Sequence, residues 1–120
     1  MIRIVLADDH AMVRMGFKMI LEQQGDFQVV GEASEPDSAF ELVRELKPDV
    51  LVTDVSMGSD KNGLLLAERI EGAGLACAVL VLTMHAEQEY LRQAMERGAR
   101  GYVLKSSSDE TLVHAIRAIE

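Results

Sequence analysis

The sequence predicts a doubly wound α/β domain. Short β-rich runs at 2–7, 27–33, 50–53, 78–83 and 101–104 alternate with amphipathic stretches, and the inner runs are apolar on both faces. Strands of that kind belong to a parallel sheet covered by helices on both sides, because right-handed crossovers place helices over each face. The composition agrees. The 120 residues are 48% hydrophobic with only 4% aromatics, so one core of Leu, Val, Ile, Ala and Met can form across a single domain, 1–120, without staples.

Each element has its own signals. The first strand, "IRIVLA", runs straight into Asp8 and Asp9. After it, Met12, Met15 and Met19 fall at helical spacing beside Val13, Phe17 and Ile20, a pattern expected of core and its margin rather than of a methionine-rich docking face. Gly25 is the expected stop. Pro36 is placed to open the second helix, and Ala39, Leu42, Val43 and Leu46 at i, i+3, i+4, i+7 form its apolar stripe before Pro48 ends it. The third strand leads to Asp54, and Gly63 opens the helix that follows. The fourth strand ends in Thr83, and Gly98 closes the next helix. The fifth, "GYVL", ends before Lys105. Ser107, three residues before Glu110, suggests a capping box for a last helix whose stripe is Leu112, Ala115, Ile116 and Ile119.

Twelve Lys and Arg against twenty Asp and Glu give a formal charge of −8. With no clustered basic stretch to track a phosphate backbone, nucleic-acid binding through this domain is not expected. The single cysteine, Cys77, has no intramolecular partner and lies among Ala, Val and Leu, which suits a reduced compartment and a packing role. No leader pattern begins the chain, and no apolar run approaches the roughly 20 residues of a membrane helix. A cytoplasmic protein with no membrane partner is the expectation.

In open parallel sheets the working site lies beyond the carboxyl ends of the strands, where the strand order reverses. With the order 2-1-3-4-5, Asp8 and Asp9 from strand one and Asp54 from strand three converge at that point. Three nearby anions repel, and a hard divalent cation relieves the repulsion. Mg2+ suits the donor set, since it prefers oxygen, keeps several waters and takes one or two carboxylates plus a phosphate. Thr83 and Lys105 add a hydroxyl donor and a fixed cation, which a phosphoryl group near Asp54 needs for its remaining oxygens. The constellation suits an acyl phosphate.

The text "ADDH", "DVLVTDVSM" and "VLVLTMHAEQEYLRQAMERGARGYVLK", together with the helix after it, resembles the receiver domain of two-component response regulators, NarL/FixJ (LuxR-type) subfamily, over the whole chain. The resemblance implies the flavodoxin-like (βα)5 receiver fold and a set of roles. Asp54 would be the phosphoacceptor and also a metal ligand, Asp9 a direct metal ligand, Asp8 a ligand through water, and Ser56 a metal ligand through its backbone carbonyl. Thr83 matches the switch hydroxyl, Lys105 the family's lysine, and Tyr102 the aromatic switch position. Mg2+, or Mn2+ in its place, would be the cofactor. A sensor histidine kinase would be the phosphodonor, phosphorylation would promote a homodimer, and a helix-turn-helix output domain, absent from 1–120, would bind DNA. On this reading the domain is not an enzyme but assists its own phosphorylation and dephosphorylation.

Two departures stand out. Relatives commonly carry Pro-Gly soon after the phosphoacceptor, but this chain reads "DVSMGSDKNG". Gly58 in place of that Pro removes a constraint on φ, so a mobile loop over 57–62 is expected. "KSSS" replaces the Lys-Pro of many receivers, so no cis bond after Lys105 is expected.

Blander and rival readings compete with these. Asp8 and Asp9 could cap the first helix. His10 invites a zinc reading but has no second His or Cys at ligand spacing nearby, and a helix-start role is favoured. His85 would gate hydrolytic water or be a plain surface residue, and His114 falls outside the last stripe. A phosphohydrolase of the haloacid dehalogenase type needs Asp-x-Asp, but the residue two past Asp54 is Ser56. A receiver-like interaction module that switches without phosphate would be favoured by loss of a site residue, and none is lost. A flavodoxin-like cofactor site lacks its phosphate loop after strand one.

Overall fold

A computed structural model describes residues 1–55, 57, 62–84 and 88–120. Strands β1 (Ile2–Ala7), β2 (Phe27–Ala33), β3 (Val50–Asp54), β4 (Ala78–Thr83) and β5 (Gly101–Leu104) alternate with helices α1 (Ala11–Glu22), α2 (Pro36–Leu46), α3 (Asn62–Gly72), α4 (Gln88–Glu96) and α5 (Asp109–Ile119). All strand pairs are parallel and the order is β2-β1-β3-β4-β5. The doubly wound expectation therefore holds in class and in strand order.

The two-residue period of the strands sorts their side chains between two cores. Val5, Ala7, Leu51, Val79 and Val81 face one side, packed with Ala39 and Val43 of α2, Leu64 and Ile70 of α3 and Ala94 of α4. Ile4, Leu6, Val50, Val52, Leu80 and Leu82 face the other, against Leu21 of α1 and Leu112, Val113 and Ile116 of α5. Every residue of β3 and β4 is buried, as expected of strands covered on both faces.

Three local expectations need correction. Serine caps α5, but it is Ser108: its Oγ accepts the Thr111 amide at 3.2 Å. Ser108 places that oxygen three residues before the amide it satisfies, which Ser107 does not. Helix α1 ends at Glu22 rather than at Gly25, with Gln23 still right-handed. The methionines of α1 are not core: Met12, Met15 and Met19 are 87%, 61% and 61% exposed. The helix is apolar almost all round, and at about 100° per residue Phe17 and Leu21 lie opposite the methionines and take the sheet. Gly98 closes the turn after α4 with φ of +98°, and the bond after Lys105 is trans. The Cys77 thiol, half-buried, is pushed up to about 12, first by burial and then by the charge of Asp49.

Gly63 is held by close approach. A Cβ there would lie 2.1 Å from the Asp54 carbonyl oxygen and 2.8 Å from Val55 Cα, because the Gly63 amide donates to the Val55 carbonyl at 2.8 Å. Both obstacles are backbone, so neither can rotate away. We expect Gly63→Ala to lose about 2–4 kcal/mol in urea melts; an unchanged midpoint would show that the corner after β3 relaxes freely.

Candidate functional site

The site forms where β1 and β3, neighbours in space, send their connections to opposite faces of the sheet. Beyond Ala7 the chain is pinned twice: the Asp8 amide donates to the Ala33 carbonyl at 3.0 Å, and Arg14 Nη1 donates to the Asp8 carbonyl at 2.6 Å. Asp8 Oδ1 in turn accepts the His10 amide at 2.8 Å. Neither carboxylate caps α1, whose N-cap is His10 with no side-chain cap bond. Asp54 closes β3, in register with Leu82 of β4. Asp8 and Asp54 are buried, at 4% and 3% exposure, whereas Asp9 is open on the rim.

Among the described residues, Lys105 is the cation that holds both buried acids. Lys105 Nζ lies 3.2 Å from Asp8 Oδ2 and 3.2 Å from Asp54 Oδ1. The lysine itself is anchored at the end of β5, where its amide donates to the Thr83 carbonyl at 2.7 Å. Thr83 is fully buried. It shares a sheet face with Val81, whose register partner is Tyr102. Tyr102, half-buried, packs against the core that includes Ala94 and Ala99.

The sequence-predicted residues Asp8, Asp9, Asp54, Thr83 and Lys105 thus meet at one end of the sheet, with Tyr102 two residues back along β5. Ser56, His85 and most of the 57–62 loop lie outside the described residues. Met57, at the start of that loop, is fully buried. His114 is exposed on α5. Sequence reasoning missed Arg14, which braces the acidic corner; its pairing with Glu32 of β2 at 3.1 Å depends on a spatial neighbour that linear spacing does not reveal.

Ligand atoms of Asp8, Asp9, His10 and Asp54 all lie within 4.8 Å of one another. Carboxylate oxygens at that separation fit a hard divalent cation such as Mg2+. A groove of about 480 Å³ opens between α2 and α3, lined by Pro36, Asp37, Met57, Leu65 and Arg69 among others, but Asp8, Asp9 and Asp54 do not line it.

Comparison with known proteins agrees with this geometry. The pattern of the response regulator receiver domain matches residues 4–117. The chain belongs to that family. Oxygen regulatory protein NreC of Staphylococcus aureus is 44% identical to this receiver domain over 117 residues, 98% of this chain and 54% of its own length. The chain therefore spans about half the length of the curated relatives it matches. The signal receiver domain of the response regulator NarL from Mycobacterium tuberculosis superposes with a TM-score of 0.91 at 35% identity, covering 98% of this chain and 94% of the other. A DNA-binding response regulator of the LuxR family from Staphylococcus aureus gives 0.91 at 26% identity, covering 99% and 98%. No helix among the described residues is long and apolar enough to cross a membrane.

Lys105 neutralises part of a buried anionic cluster, so its removal strands Asp8 and Asp54. We expect Lys105→Ala to lose about 2–4 kcal/mol in urea melts with chelator and to regain part of that with excess Mg2+, since a ligand of the folded state alone stabilises it. A variant as stable as the parent in chelator would contradict the pairing.

Proposed function

We propose that this receiver domain accepts a phosphoryl group on Asp54 from a sensor histidine kinase and so controls an output. One observation carries the reading. A buried strand-end carboxylate, a second buried acid and an anchored ammonium lie in mutual contact at the switch point of a parallel sheet.

In the transfer, an Asp54 carboxylate oxygen attacks phosphorus in line. The P–N bond of the phosphohistidine breaks and the imidazole leaves with its electron pair. Asp9, Asp54 and, through water, Asp8, with the Ser56 backbone carbonyl, are the groups that would hold Mg2+, or Mn2+, at the acceptor. When bound, the ion neutralises charge on the phosphoryl oxygens. Lys105 is placed to exchange its Asp54 contact for a phosphoryl oxygen without leaving its anchor on β4. The Thr83 hydroxyl, at the end of the adjacent strand, would donate to another.

The acids stand at the carboxyl end of the sheet with Asp9 exposed on the rim, a placement that a macromolecular phosphodonor can reach. The exposed Met12 and Met15 on the first turns of α1 offer such a donor an apolar seat next to the acids. This favours a signalling phosphoacceptor that assists its own phosphorylation and dephosphorylation over an enzyme, and a cytoplasmic one. The DNA-binding relative and the half-length match to NreC support transcriptional output through a further domain, with phosphorylation promoting a homodimer.

Intact mass after incubation with acetyl phosphate tests the reading. We expect one phosphoryl increment with Mg2+, none with chelator and none in Asp54→Asn. No increment under any condition, with the fold intact, would turn the reading toward an interaction module that switches without phosphate.

The signal is proposed to travel by Thr83 turning toward the phosphoryl group and Tyr102 filling the space it leaves, reshaping the face of α4, β5 and α5. Their common sheet face supports this route. Thr83→Ala should still take up the phosphoryl group but lose most of the amide shifts on β5 and α4 seen by NMR in the phosphorylated parent. Undiminished shifts would exclude the hydroxyl as the coupling group.

A further inference from the structure

We infer that His10 is a ligand of the cation site and gives it a preference for borderline divalent transition ions, such as Co2+ and Zn2+, over Mg2+. The inference rests on the receiver reading, because it adds a nitrogen to the carboxylate site proposed there.

The backbone places the ring. His10 stands at the N-cap of α1 in extended conformation, φ −99° and ψ 104°. Its amide is tied to Asp8 Oδ1 at 2.8 Å and its carbonyl accepts the Arg14 amide at 2.9 Å. The ring makes no capping bond to the helix. It leans over the acids instead, with Nδ1 2.9 Å from Asp9 Oδ1 and 3.4 Å from Asp8 Oδ1, while the side chain stays 69% exposed.

Those two separations are the size that a shared ion sets. Ligand atoms each about 2.1 Å from one metal lie roughly 3.0 Å apart as octahedral neighbours and roughly 3.4 Å apart in a tetrahedron. The four candidate ligand atoms also fall within 4.8 Å of one another. Exposure helps, since the ring can turn by the small angle needed to aim its lone pair without displacing packed neighbours.

Donor chemistry then decides which ion benefits. Mg2+ demands oxygen and keeps its waters, and gains little from an imidazole. Co2+, Ni2+, Cu2+ and Zn2+ bind imidazole nitrogen well. A carboxylate-only site already ranks these ions, and adding His10 to the three carboxylates widens the advantage of the transition ions over Mg2+. The same 2.9 Å contact also fits Nδ1–H donating to the Asp9 carboxylate. In that arrangement His10 restrains a ligand and changes the affinity of every ion alike, so the ratio of affinities separates the two.

The test is calorimetric titration of the purified chain with Co2+ alone and with Mg2+ alone, on the parent, His10→Ala and His114→Ala. His10 is exposed, so its replacement does not threaten the fold, and His114 on α5 is the control for adventitious histidine binding. We expect the Co2+-over-Mg2+ affinity ratio to fall at least tenfold in His10→Ala and to hold in His114→Ala. The visible absorption of bound Co2+ should change only in His10→Ala. An unchanged ratio in His10→Ala, or an equal fall in both variants, overturns the inference. Mg2+-dependent phosphorylation of the parent, read by mass, would leave the receiver reading standing in that event. A parent that binds neither ion and takes up no phosphoryl group would remove both.

Discussion

Two carboxylates from strands 46 positions apart in sequence are held in the buried end of a sheet by one ammonium that arrives from the far side of the chain. Charge at less than 5% exposure is costly unless paired. The contact exists because parallel topology brings the ends of β1, β3 and β5 to one edge, although the loops that carry them run to different faces. Lys105 does not reach in from solvent. Its amide is bonded to the Thr83 carbonyl, so the β4–β5 pair fixes the backbone that carries the cation, while the ammonium at the end of the side chain can change partners without breaking that bond.

The acids themselves divide by exposure. Asp8 and Asp54 are buried and structurally committed, one by bonds to β2 and α1 and the other by its place in β3. Asp9 and His10 stand on the rim, exposed to solvent. A site of this build combines a stiff floor with an adaptable lip. Stiffness places the nucleophile and its counter-charge in advance, while the lip can change ligands without breaking a core contact.

Most of this floor was legible in the sequence, and for a physical reason. Strands buried on both faces leave a strong apolar signal, and a polar residue that interrupts such a run, as Asp8, Asp54 and Thr83 do, must be either at a strand end or in error. Lys105 follows "GYVL" by the same logic. Partners across the sheet were not legible. That Lys105 bridges Asp8 as well as Asp54, or that Arg14 braces the Asp8 carbonyl, depends on which loops lie side by side. Helix α1 misled because its apolar residues cover more than one face, so periodicity could not say which stripe the sheet would take. Phe17 and Leu21 won, and Met12, Met15 and Met19 were left to solvent. The shift of the α5 cap from Ser107 to Ser108 is of another kind: three consecutive serines offer the same hydroxyl, and only the direction in which the chain leaves β5 selects among them.

The exposed methionine stripe and the buried acids belong to one functional logic. A parallel sheet concentrates chemistry at one end and leaves the outer faces of its helices free, and α1 begins at that end. An apolar, adaptable stripe there starts at the end of the sheet that holds the acids, yet it shares no side chain with the core that Phe17 and Leu21 support. On the proposed reading, recognition and stability occupy opposite faces of one helix, so a change at the methionines leaves the geometry of Asp8, Asp54 and Lys105 in place.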